Sequence, residues 1–168
     1  MNDFINGLFA LKGKVAVVTG GGGYLCGEMS VGLARAGCKV AVIDLRQEKA
    51  DAVAECIRNE TGKKAISIGI DSSNKVKMQA SLERVANELG SVDILINGAG
   101  INAPTPFLDI TLDEFYAVMG SQVTSTLIGC QVFGEHMLEN GTGSIINISS
   151  ASAGPPLSKA FVYSVAKA

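Results

Sequence analysis

Short apolar runs alternate with longer stretches of helical period from one end of the chain to the other. Residues 14–19 form a β-branched run that leads straight into four glycines, Gly20 to Gly23. The spacing then predicts a helix over 25–36, stopped by Gly37, which suits the position just past a helix end. A second strand over 39–43 closes on Asp44, and a helix over 46–60 runs to Gly62. The third strand, 65–70, ends at Asp71. Ser73 is placed to cap a helix over 74–89, which Gly90 stops. A fourth strand over 92–96 ends at Asn97, and a loop with Pro104 and Pro106 follows. Thr111 with Glu114 reads as a capping box for a long helix toward Asn140. The fifth strand is 143–148, residues 149–159 are a loop with Pro155 and Pro156, and 160–168 begin another helix.

The strands are near-continuously apolar rather than alternating. Such runs suit a parallel sheet covered on both faces. Regular exchange of strand and helix predicts a doubly wound α/β fold with right-handed crossovers. No repeat, linker or low-complexity tract divides the 168 residues, which fit one domain. Hydrophobic residues make up 47% and charged residues 18%, the opposite of a disordered composition. A net charge of −2 leaves no basic footprint for nucleic acid. His136 is the single histidine, so a multi-histidine metal site is excluded and no metal is expected. His136 itself reads as structural. Cys26, Cys38, Cys56 and Cys130 form no C-x-x-C pair and read as reduced, packed thiols. Residues 1–13 carry Asp3 and no basic stretch, unlike a signal peptide, and no apolar window is long enough to span a bilayer. The expected setting is cytoplasmic, without a membrane partner.

Chemistry enters with the glycines. Four in a row let a ligand approach bare backbone. The helix behind them offers free N–H groups and a partial positive charge, the usual seat of a pyrophosphate. Asp44 closes the next strand, 24 residues after Gly20. A carboxylate there accepts hydrogen bonds from both ribose hydroxyls of an adenosine and repels a 2′-phosphate, which favours NAD over NADP. Arg46 works against that preference. The alternative is that Asp44 caps the following helix, which is compatible with the favoured ligand role. Asp71 repeats the position one strand later, as an adenine contact or as a turn residue.

These residues, with Asn97-Gly-Ala-Gly100, Ile146-Asn-Ile-Ser-Ser150 and Tyr163-x-x-x-Lys167, resemble the short-chain dehydrogenase/reductase family along the entire chain. The glycine loop and Gln131-Val-Phe-Gly134 look most like its sugar-acid branch, the D-mannonate (fructuronate) oxidoreductases. The resemblance implies a Rossmann-like sheet in the order 3-2-1-4-5, with the family's later C-terminal strands missing. The chain then reads as a single, incomplete dinucleotide-binding domain, and its fifth strand as an open apolar edge. The implied cofactor contacts are Gly20, Gly22, Gly23, Tyr24, Leu25, Asp44, Asp71, Asn97, Ala99, Gly100, Tyr163 and Lys167. The implied catalytic group is Tyr163 as acid/base, Lys167 as its activator and ribose ligand, Ser150 on the reacting oxygen, and Gln122 where an asparagine usually holds a relay water. Tyr163 and Lys167 are four apart, so a helix puts them on one face, and a nearby ammonium favours a phenolate.

The pattern departs from the family in three further places. Tyr24 and Cys26 stand where the second and third loop glycines usually are. Gly98 replaces a second asparagine. Gln122 is one methylene longer than the usual amide. The implied activity is NAD-dependent interconversion of a secondary alcohol and a ketone, with a small-molecule substrate and a homo-oligomeric enzyme. Its rivals are a nucleotide-binding fragment without turnover and a flavodoxin-like module, which leaves Ser150, Tyr163 and Lys167 unexplained.

Overall fold

The structure is a computed structural model that describes residues 10–155 and 157–168. The signal-peptide reading of 1–13 therefore falls mostly outside the described residues, as does Pro156. Five strands, β1 Val15–Thr19, β2 Lys39–Asp44, β3 Ala65–Gly69, β4 Ile94–Asn97 and β5 Ser144–Asn147, form one sheet in the order β3-β2-β1-β4-β5. Every pairing is parallel. The helices between them are α1 Tyr24–Arg35, α2 Gln47–Thr61, α3 Lys75–Glu88, α4 Leu112–Met119, α5 Ser125–Glu139 and α6 Phe161–Lys167. This is the expected doubly wound, Rossmann-like arrangement and strand order.

The apolar runs explain the layering. All five residues of β1 are buried, and alternate ones serve opposite faces. Val18, Val40 and Val42 pack with Ala50, Ala54 and Ile57 of α2 on one side. Val17, Ala41, Ile43 and Leu95 pack with Met78 of α3 and Phe133 of α5 on the other. A side chain such as Phe133, wholly buried, contributes about 1.5–3 kcal/mol by leaving water.

Two details differ from the sequence expectation. β4 begins at Ile94, although the Asp93 N–H and carbonyl already bond Val15 and Ser144 of the neighbouring strands, and only Val92 turns away from the sheet. The Val92 N–H donates to His136 Nε2 at 3.1 Å, so the lone histidine ties α5 to the entrance of β4. The Asp93 carboxylate takes Lys14 Nζ at 2.6 Å and the Val15 N–H at 2.9 Å, tying the starts of β1 and β4 together. The second difference is a π-helical turn, Gly120–Thr124, that divides the expected long helix into α4 and α5. Gly, Ser and Thr are poor helix formers, and the Ser121 and Thr126 hydroxyls donate back to the carbonyls of Val118 and Gln122. The wider turn leaves Gln122 facing inward, 5% exposed.

The caps are also redistributed. Asn74, not Ser73, caps α3 through the Lys77 N–H, because Ser73 donates to Asp71. Thr111 caps α4 through the Glu114 N–H, but the Glu114 carboxylate takes the Thr105 hydroxyl instead of closing the box.

Asp93→Ala removes the partner of the half-exposed Lys14 ammonium and leaves the buried Val15 N–H without its carboxylate acceptor. It is expected to lower stability by about 1–3 kcal/mol, read from the midpoint of urea unfolding. A midpoint equal to that of the unaltered chain would contradict a bracing role for Asp93.

Candidate active site

The ladder registers bring the carboxyl ends of the strands level. Thr19 pairs with Ile43 on one side and with Asn97 on the other, and Asn97 pairs with Asn147. In an open parallel sheet this is the end where ligands bind, beside the point where strand order reverses. Here that point is between β1 and β4.

A cleft of about 410 Å³ opens there, within the usual ~300–1,000 Å³ of small-molecule sites. Gly20, Asp44, Asp71, Ala99 and Gly100 line it, together with Arg46 and Ile101. Gly20 has φ +66°, and a Cβ on it would fall under 3.0 Å from the backbone of Gly98 and Ala99. Only glycine permits that approach. The Thr19 hydroxyl accepts from the Gly98 N–H at 3.2 Å and the Ala99 N–H at 3.3 Å. The end of β1 is thereby fastened to the end of β4.

Asp44 is 8% exposed and does two jobs at the rim. One oxygen accepts from the Gly22 N–H at 3.1 Å, and the other from the Arg46 N–H at 3.0 Å. The Arg46 guanidinium stands 3.9 Å away. The capping alternative is therefore realised in part, as a turn contact, while the carboxylate still lines the cleft. Asp71 does likewise, accepting from the Ser73 N–H and hydroxyl at 2.8 and 2.7 Å. Gly22 lies against Asp44 and Lys49, and a Cβ there would come within 3.0 Å of both.

The remaining loop residues lie outside this cleft. Gly23 is the N-cap of α1 and leaves the helix without a side-chain cap, so the first N–H groups stay available to an anion. Tyr24 and Leu25, the first two residues of α1, are 90% and 56% exposed. Asn97 is buried below the cleft, where its amide donates to Asn147 Oδ1 at 2.9 Å and to Cys130 Sγ at 3.5 Å. It braces β4 against β5 and α5.

A second hollow of about 240 Å³ lies at the same end of the sheet, lined by Gln122, Ser149 and Lys167 among others. Lys167 Nζ donates to the Ile148 carbonyl at 2.6 Å and lies 5.8 Å from the centroid of the Tyr163 ring. The one-turn spacing thus places charge and phenol together, as expected. Burial pushes the Lys167 ammonium below the usual lysine range. Ser150 accepts from the Ser152 N–H at 3.2 Å and the Ser152 hydroxyl at 2.9 Å. Gln122 separates the two hollows. Its Nε2 donates to the Ile101 carbonyl at 3.0 Å, and its amide fills the place of a Cβ on Gly100. Its Oε1 is buried with no partner in the protein.

Sequence reading missed one neighbour of this site. Cys26, read as simple packing, lies directly over Gly98. The signal available in sequence was that both positions depart from the family pattern.

This bare-backbone cleft, with a charged lysine beside a tyrosine, agrees with the comparisons. The family model for short chain dehydrogenase matches residues 14–168, and the chain belongs to that family. It is 37% identical over 173 residues to the uncharacterized oxidoreductase UxuB of Bacillus subtilis, covering 94% of this chain and 62% of that protein. It is 31% identical to D-threitol dehydrogenase of Mycolicibacterium smegmatis, covering 95% and 61%. The structure of a proposed D-mannonate oxidoreductase from Haemophilus influenza, with NAD bound, superposes with a TM-score of 0.89 at 33% identity, covering 97% of this chain and 64% of that one. The chain thus spans about three fifths of the length of these curated relatives.

Gly22→Ala is expected to push Asp44 or Lys49 aside, at an overpacking cost of about 1–3 kcal/mol. If the cleft takes a dinucleotide, NADH affinity should fall about tenfold, measured by fluorescence titration. Undiminished affinity would show that the Gly22–Asp44 contact does not shape the site.

Proposed function

We propose that this chain carries the cofactor-binding and proton-transfer half of an NAD-dependent oxidoreductase that interconverts a secondary alcohol and a ketone. The observation that carries the reading is Lys167, held by the Ile148 carbonyl beside the Tyr163 ring, at the sheet end that also bears the Asp44 cleft. The residues fit a dinucleotide. The uncapped start of α1 suits a diphosphate, the missing side chains at Gly20 and Gly22 let the loop fold tightly against Ala99 and Asp44, and the Asp44 carboxylate suits unphosphorylated ribose hydroxyls. NAD over NADP follows from that charge, although Arg46 offers some attraction to a phosphate.

Bound NAD supplies the hydride acceptor, and the protein's task is the proton. Tyr163, as phenolate, takes the proton of the alcohol O–H and returns it in the reverse direction. Lys167 places its charge beside the Tyr163 ring and offers an N–H to the cofactor ribose. The Ser150 hydroxyl hydrogen, not used toward Ser152, is free to bond the reacting oxygen. The unpartnered Gln122 Oε1 suits a water on the way to Lys167. The other implied cofactor contacts are Gly23, Tyr24, Leu25, Asp71, Asn97, Ala99 and Gly100.

Polyols and sugar acids are the substrate class favoured, from the names of the relatives. A single cofactor domain, a homo-oligomeric enzyme and a cytoplasmic setting complete the reading. Exposed Leu112, Tyr116 and Leu127 support association, and the four free thiols support a reducing compartment. Among the described residues no helix is long and apolar enough to cross a membrane.

The chain is expected to bind NADH in a fluorescence titration, and absence of binding by folded protein would refute the cofactor assignment. Where turnover is measurable, Tyr163→Phe should lower kcat at least ~100-fold while changing NADH affinity by less than about threefold. Retained turnover would exclude Tyr163 as the acid/base. Asp44→Ala should shift preference from NAD toward NADP, and a constant ratio of the two affinities would reduce Asp44 to a turn residue.

A further inference from the structure

Gly98 is the first residue after β4, and its φ is not in the positive region that glycine alone tolerates. The backbone there does not ask for glycine. The neighbours do. A Cβ built on Gly98 would collide first with Cys26 Sγ, well inside the 3.0 Å that real Cβ atoms keep. The next atoms, the Thr19 carbonyl oxygen at 3.2 Å and Ile148 Cγ1 at 3.6 Å, are compatible with small adjustments. Cys26 is the third residue of α1 and is 5% exposed. Its thiol therefore fills the space that a side chain at 98 would occupy.

We propose that Cys26 and Gly98 form a matched pair that sets how closely the first turn of α1 approaches the end of β4, making Cys26 a positioning residue of the cofactor cleft. This rests on the cofactor reading above. Three placements support it. The pair joins the helix whose N-terminus faces the diphosphate position to the Gly98–Ala99 turn that lines the cleft. Ile148, which flanks Gly98, supplies the carbonyl that seats Lys167. Burial keeps Cys26 a neutral thiol that packs as an apolar group, even with the Lys167 charge nearby. A side chain at 98 thus meets the thiol at 26 before anything else, and the bare Gly98 leaves that thiol its place.

The test is a double-mutant cycle on the full chain, read by NADH titration with thermal melting of every variant alongside. Gly98→Ala should weaken NADH binding about tenfold or more, Cys26→Ala alone should weaken it about three- to fivefold because the spacing it sets is lost, and C26A/G98A should recover to within about threefold of the unaltered chain. Rescue of affinity by removing a second side chain is not expected of two independent structural defects. Wild-type affinity in Gly98→Ala, or a double variant as weak as Gly98→Ala, would overturn the pairing. If Gly98→Ala does not fold, the double variant must fold and bind, and its failure to do so overturns the proposal equally. If the unaltered chain binds no NADH, the proposed function fails instead. The pairing is then still read from melting, where C26A/G98A must melt above Gly98→Ala.

Discussion

The cleft depends on β1 and β4 leaving the sheet side by side with almost nothing between them. One buried hydroxyl holds that approach. Thr19 Oγ1 accepts from two successive N–H groups, Gly98 and Ala99, and lies 3.4 Å from the Ile96 carbonyl. Each such bond contributes only about 1 kcal/mol net, but leaving the buried groups unpaired would cost more. The absence of a side chain at Gly20 lets the two turns touch, and the absence of one at Gly98 lets α1 settle onto them. The result is a floor of backbone, open to a ligand and stiffened by the sheet beneath.

Charge is then distributed around that floor by secondary contacts. Asp44 is held in place by two backbone N–H groups, so its carboxylate is fixed at the rim before any ligand arrives. Lys167 is fixed in the same way by the Ile148 carbonyl. The two sit on opposite sides of the β1–β4 switch point, on β2 and beyond β5. Preorganised charge of this kind avoids reorganisation when a cofactor or a developing phenolate appears. Burial lowers the hold of Lys167 on its proton, which reduces the driving force for keeping it charged at alkaline pH.

The strand and helix pattern was readable because buried parallel strands carry no alternation to confuse, and because Gly37, Gly62 and Gly90 end elements with positive φ. Individual roles were less readable. Nothing in the spacing separates Asp44 as a ligand from Asp44 as a turn residue, since both need the same carboxylate at the same strand end. The π-helical turn at Gly120–Thr124 was visible only as a weak stretch of helix. Which way Gln122 then points is a tertiary result, decided by the Ile101 carbonyl and the bare Gly100. The contact of Cys26 with Gly98 joins residues far apart in sequence and has no periodic signature.

The departures from the family pattern are not equivalent once their surroundings are compared. Cys26 is matched by the missing side chain at Gly98, so the spacing between α1 and β4 is kept with different atoms. Gln122 is longer than asparagine, but a π-helical turn moves its backbone and Gly100 receives its amide, so its length is absorbed locally. Tyr24 has no such partner and stands almost wholly in solvent at the mouth of the glycine loop. Two of the changes therefore preserve the shape of the cleft, whereas the third adds an aromatic ring beside it. Under that reading the cofactor site is an altered but internally consistent version of the family's, and Tyr24 is the change most free to act on whatever binds there.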